Sequence, residues 1–165
     1  MIYKSGYKCF WHISALLVMI VIFLFSSQSG QQSSGVSSGL TALFIDVLDS
    51  DYVQLLQSMN ISPYASIELF FRKCAHFCEY ALLSFCVFNA LCYYTRNTEY
   101  LLMFSIVISF VYSVSDELHQ YFVPERSCSV IDVLIDTSGI ITGVLTAMLI
   151  CRIIALLKYK NIMEV

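Results

Sequence analysis

Four apolar runs, at residues 10–26, 74–95, 99–120 and 130–151, are each long enough to cross a bilayer, and the charged residues stand at their ends or just inside them. A span needs about 20 predominantly apolar residues. Within hydrocarbon every backbone N–H and C=O must be satisfied by the chain itself, which runs of this length achieve as helices. Composition agrees: 58% of the 165 residues are hydrophobic and only 13% are charged, against roughly 25% charged in soluble domains. The expected fold is all-α, an integral membrane bundle of four transmembrane helices forming one domain over residues 1–165.

The net charge of −3 is small and unevenly placed, so the chain lacks the basic surface of a nucleic-acid protein and no nucleic-acid partner is expected. Most of the seven cysteines lie inside apolar runs, where Cys acts as a small hydrophobe. Only Cys74, Cys78 and Cys128 can meet outside the membrane; Cys74 and Cys78 bracket His76, without the paired CxxC of a structural zinc site.

The first run is longer than a signal-peptide core and no small-x-small site closes it, so it is expected to remain as an uncleaved anchor. Residues 27–71 form the first extracytoplasmic segment. Its Ser/Gly/Gln-rich start reads either as flexible loop or as surface helix, and two short amphipathic pieces follow, Leu40 to Leu48 and Tyr52 to Met59. Ser62-Pro63 is a helix start, with Ser at the cap and Pro at the first helical position. That helix is expected to continue to Thr95, its first turns, Pro63 to Phe71, standing in the outer interface. Pro124 ends the third span. Ser129 and Asp132 resemble a capping box for the fourth.

Lys4, Lys8, Arg96, Arg152, Lys158 and Lys160 fall at one end of the spans, and Arg72, Lys73 and Arg126 at the other. By the excess of Lys and Arg on the cytoplasmic side, both termini are expected in the cytoplasm. Glu79, Asp116 and Asp136 each stand about 16–17 residues from the inner end of their span, roughly 24–26 Å at 1.5 Å per residue. Three carboxylates on three spans therefore share one level, just inside the outer edge of the hydrocarbon. Arg72, His76 and Glu79 form one helix stripe, Tyr112, Asp116, His119 and Gln120 a second, and Asp132, Asp136, Gly139 and Gly143 a third. The Gly139-x-x-x-Gly143 pair lets a neighbouring helix approach closely below the carboxylates, turning the polar stripe inward.

Ionisable groups in such places cost several kcal/mol each unless paired or solvated, so a functional site is the default expectation. Catalytic candidates are His76, Glu79, Asp116, Glu117, His119, Asp132 and Asp136, with Arg72, Lys73, Gln120 and Arg126 as substrate-binding candidates. Glu79, Asp116, Asp132, Asp136, His76 and His119 offer enough donors for a divalent metal, and pairing with the three cations is the alternative use of the same groups.

Phe25-Ser26-Ser27-Gln28-Ser29-Gly30, Arg72-Lys73-x-x-His76-Phe77-x-Glu79-Tyr80, Ser115-Asp116-Glu117-x-His119-Gln120-Tyr121-Phe122-Val123-Pro124-x-Arg126 and Asp132-Val133-x-x-Asp136-x-x-Gly139-x-x-x-Gly143 together resemble the VanZ-like family. The resemblance implies a small bacterial cell-envelope membrane protein, in a family named for members that lower susceptibility to the glycopeptide teicoplanin. This chain departs from the family's commonest pattern at Glu125, where Gly is frequent, and at Asp136, where Asn is frequent.

Three classes of function suit these residues. The first is an enzyme acting on a membrane lipid or lipid-linked cell-wall precursor. In it the arginines would hold a phosphate, Asp116, Glu117 and His119 would move protons, and Glu79 would orient His76 as a base. The second is a binding or structural protein whose charged cluster neutralises itself and holds the helices together. The third, transport, lacks a polar path through the inner halves of the spans unless a homo-oligomer supplies one.

Overall fold

The structure, a computed structural model, describes residues 7–47, 54, 58–59 and 62–163. Five helices account for most of them: α1 (Tyr7–Ser26), α2 (Gly30–Val47), α3 (Pro63–Leu91), α4 (Thr98–Gln120) and α5 (Val130–Met163). All but α2 are long and apolar enough to cross a membrane. They run alternately up and down. At one end of the bundle Ser26 of α1 meets Asp116 near the end of α4, and at the other His12 of α1 meets Tyr94 in the turn after α3.

Helix α3 is the hub, packing on every other helix and most extensively on α5. Gly139 and Gly143 explain that pairing. A Cβ on Gly139 would collide with the carbonyl oxygen of Phe77, and one on Gly143 with that of Ala81 and with Ser84 Oγ. The backbones thus approach closer than side chains allow, and Ser84 uses the proximity to donate across the crossing to Ile140 O at 2.9 Å. Below lies a core of Ile22, Tyr80, Leu83, Val87 and Ile140, continued by Phe88, Leu101, Val144 and Ala147. Large apolar side chains on the other faces, among them Leu16, Val111 and Leu149, are exposed, as a lipid-facing surface requires.

The start of α3 follows from its sequence. Ser62 is extended and its side chain accepts from Ala65 N, with Pro63 at the first position. The regular helix stops at Leu91 rather than Thr95, and the chain tightens through the bonds Tyr93 N to Ala90 O and Tyr94 N to Leu91 O. Asn97 then caps α4 by accepting from Glu99 N and Tyr100 N. The capping-box reading of α5 does not hold: the Ser129 N–H goes to Glu117, and the Asp132 carboxylate goes to Lys73.

Between α1 and α3 one continuous helix, α2, replaces the loop-or-helix alternative for the Ser/Gly/Gln-rich start and absorbs Leu40 to Val47. Leu48 and most of the second predicted piece, Tyr52 to Met59, lie outside the described residues. Helix α2 rests on the first turns of α3. Ser37 Oγ reaches Glu68 Oε1 at 3.3 Å, Tyr64 donates to Ser38 O at 3.2 Å, and Phe44 meets Phe71 edge-on. None of the seven cysteines forms a disulfide.

Candidate functional site

The ionisable residues gather at the end of the bundle where α1 and α4 finish and α3 and α5 begin, and they sort into four groups. The first is a buried triad. His76 Nδ1 of α3 stands 3.3 Å from Asp136 Oδ1 of α5, an ion-pair distance that is off-line for a hydrogen bond. Glu117 of α4 completes it, and ligand-capable atoms of the three residues all lie within 4.8 Å of one another. Asp136 is fully buried and Glu117 is 1% exposed. Ser113 Oγ donates to Asp136 Oδ2 at 2.7 Å, and the Ser129 N–H, just before α5, donates to Glu117 Oε2 at 2.9 Å. The remaining oxygens, Asp136 Oδ1 and Glu117 Oε1, and His76 Nδ1 have no hydrogen-bond partner.

The second group is a relay between α4 and α1. Ser26 Oγ donates to Asp116 Oδ2 at 2.7 Å, and the Gln120 amide nitrogen reaches both Ser26 Oγ and Asp116 Oδ2, at 3.1 and 3.2 Å. Gln120 Oε1 accepts from Arg126 at 3.2 Å. Buried Tyr80 turns its hydroxyl toward Asp116 without reaching hydrogen-bond geometry. Asp116 is therefore held by neutral donors.

The third group is an ion pair, Lys73 with Asp132, joining α3 to the first turn of α5. The fourth is a cleft of about 190 Å³ between the end of α1, α2 and α3, lined by Ser26, Gln28, Arg72, His76, Glu79 and Arg126 among others. Arg126 donates only to neutral acceptors there, Gln120 Oε1 and Phe25 O, and its buried Nε has no partner. Among the described residues neither Arg72 nor Arg126 forms an ion pair.

Three assignments from sequence change here. His76 turns its Nδ1 to Asp136, so Glu79 does not orient that nitrogen. His119 lies apart from the triad, stacked on Phe23 and 3.2 Å from Ser27 Oγ. Among the described residues the donors close enough to share a metal are His76, Glu117 and Asp136, a smaller and different set from the one the sequence suggested. Ser26 and Tyr80 stood in the quoted motifs without an assigned role, and Ser113 was not singled out. Ser113 belongs to a buried ladder, Ser105, Ser109 and Ser113, that runs at four-residue spacing into Glu117.

Four membrane-length helices bound by a glycine crossing, with a polar cluster enclosed at one end, define a polytopic α-helical membrane protein. The chain matches the VanZ/LLP1 family over residues 11–152, most of its length, and belongs to that family. No curated protein and no solved structure shows significant similarity to it.

Proposed function

We propose that the cleft takes the phosphate of a membrane lipid or lipid-linked cell-wall precursor and that the protein acts on that head group at the outer face of the bacterial membrane. The observation that carries the proposal is the pair of guanidinium groups in one cleft with no carboxylate ion-pair partner among the described residues. A self-neutralising plug would commit its cations internally, as Lys73 is committed to Asp132. Arg72 and Arg126 are instead left facing a space large enough for a phosphate group, and guanidinium forks bind phosphate oxygens in parallel pairs. Phe25 and Phe71 in the same lining give an acyl or prenyl chain an apolar exit. Glu79 supplies a carboxylate beside the phosphate for proton transfer. Lowered teicoplanin susceptibility, the trait for which the family is named, follows in this proposal from action on the precursor lipids.

The test uses protein in nanodiscs and native mass spectrometry, comparing phosphatidic acid with diacylglycerol of the same chains. The wild type should retain the phosphate-bearing lipid preferentially. Arg72→Gln and Arg126→Gln should each weaken that retention about tenfold, since one charge-assisted hydrogen bond contributes about 1.5–3 kcal/mol. Equal retention of both lipids by the wild type would sink the proposal.

A further inference from the structure

We infer that His76, Glu117 and Asp136 form a binding site for a divalent transition-metal ion of the Mn²⁺ to Zn²⁺ kind. The site is separate from the arginine pair and stands without the head-group reading.

Three independent features converge on it. The first is composition: one imidazole and two carboxylates, from α3, α4 and α5, present donor atoms within 4.8 Å of one another. Donors around a metal at about 2.0–2.2 Å sit roughly 3–4 Å apart, and the 3.3 Å between His76 Nδ1 and Asp136 Oδ1 already falls in that range. The second is the state of those atoms. Each residue keeps one polar atom that is buried and without a hydrogen-bond partner, and the carboxylates of Asp136 and Glu117 are almost wholly withdrawn from solvent. Buried polar atoms are otherwise nearly always satisfied; His76 Nδ1 and Asp136 Oδ1 have only their off-line pairing with each other and Glu117 Oε1 has no hydrogen bond, so the three residues describe a place for a ligand. The third is charge. Two carboxylates share this enclosure, and Lys73, about one turn earlier on α3, is taken by Asp132. A cation at the centre would satisfy both carboxylates and the imidazole at once.

The outer contacts suit ligation. Ser113 donates to the far oxygen of Asp136, and the Ser129 N–H to the far oxygen of Glu117; such supporting bonds fix the orientation of metal-ligating carboxylates. Mixed imidazole and carboxylate donors suit Mn²⁺ or Zn²⁺ better than Ca²⁺, which prefers six or more oxygens. His76 also lines the cleft, which places the ion one side chain away from it.

The experiment takes full-length protein in neutral, phosphate-free detergent, stripped with chelator and then titrated separately with Zn²⁺, Mn²⁺ and Ca²⁺. Folding of each variant is checked by circular dichroism and gel filtration. The expected result is one Zn²⁺ or Mn²⁺ per chain, with binding weakened about tenfold or more by Asp136→Asn and by Glu117→Gln. His12→Ala and Glu99→Gln, at the other end of the bundle, should stay within about twofold. Should Asp136→Asn not fold, the ¹⁴N coupling in the electron spin echo spectrum of bound Mn²⁺ decides instead: it is expected in the wild type and lost in His76→Ala. The inference is overturned if folded wild type takes up neither metal, if Ca²⁺ binds more tightly than both, or if the triad variants bind as well as the wild type. Because no lipid phosphate is present, failure here leaves the head-group proposal standing, and the reverse also holds.

Discussion

Glu125 has a φ of 60°, the left-handed region, which costs a residue with a Cβ about 1–2 kcal/mol. Glycine would avoid that cost. The Glu side chain offsets it by accepting from Gln31 N at 3.2 Å and Gln31 Nε2 at 3.0 Å, tying the loop after α4 to the start of α2. Gly30 makes this contact feasible: its N–H reaches Pro124 O, and a Cβ on it would stand 2.7 Å from Glu125 O and 2.9 Å from Glu125 Cβ. Gly30→Ala should therefore destabilise the protein by about 1–3 kcal/mol, read as a lower midpoint of thermal unfolding in detergent. Glu125→Gly should be close to neutral, relieving the backbone while losing two exposed hydrogen bonds of about 0.5–1.5 kcal/mol each. Combining the two should recover only part of the Gly30→Ala loss, because the Cβ contact disappears while the carbonyl contact persists. An unchanged midpoint for Gly30→Ala would contradict this account of the loop.

Between elements, the α3–α5 crossing sets the depth at which Asp136 meets His76. Gly143→Ala would drive a methyl into the Ala81 carbonyl, backbone that cannot swing aside, and should cost about 1–3 kcal/mol or more. Gly35→Ala in α2 is the matched control: nothing lies within 4 Å of its Cβ position, so the better helix former should stabilise by up to about 1 kcal/mol. Denaturant titration of both variants against the wild type would expose the error if they shifted in the same direction. The glycine stripe was legible because small residues at i and i+4 in an apolar run have a geometric use. The serine ladder of α4 was not, since Ser105, Ser109 and Ser113 look like helix filler until α5 is packed against them. It gives α4 two polar faces, Asp116 and Gln120 toward α1, Ser113 and Glu117 toward α5, where sequence spacing suggested one. Helix α2 was ambiguous for a related reason. Ser and Gly are poor helix formers, and the helix is supported by packing on α3, where Thr41 is fully buried and returns its hydroxyl to Ser37 O.

At the scale of the whole molecule, composition and the length of the apolar runs were enough to give the architecture, because a bilayer leaves a chain so few solutions. The shared level of Glu79, Asp116 and Asp136 along the bundle was legible for a related reason: a fixed rise per residue converts sequence distance into height. The pairing of charges was not, because height and stripe leave open how each helix is rotated against its neighbours. His76 could face Glu79 on its own helix or Asp136 across the crossing, and only the glycine contact decides between them. Orientation in the membrane rests on the six Lys and Arg residues counted at one end against three at the other, and Cys128 allows a direct test. It is an exposed thiol in the loop between α4 and α5, at the end that carries the cleft, while Thr98 is exposed at the first position of α4, at the opposite end. In intact cells a membrane-impermeant maleimide should label the protein in which Cys9, Cys74 and Cys78 are replaced by Ser, and adding Cys128→Ser should remove that labelling. Adding Thr98→Cys to the Cys128→Ser protein should restore labelling only after the membrane is permeabilised. The opposite pattern would put the cleft at the cytoplasmic face, and a lipid phosphate bound by Arg72 and Arg126 would then have to come from the inner leaflet.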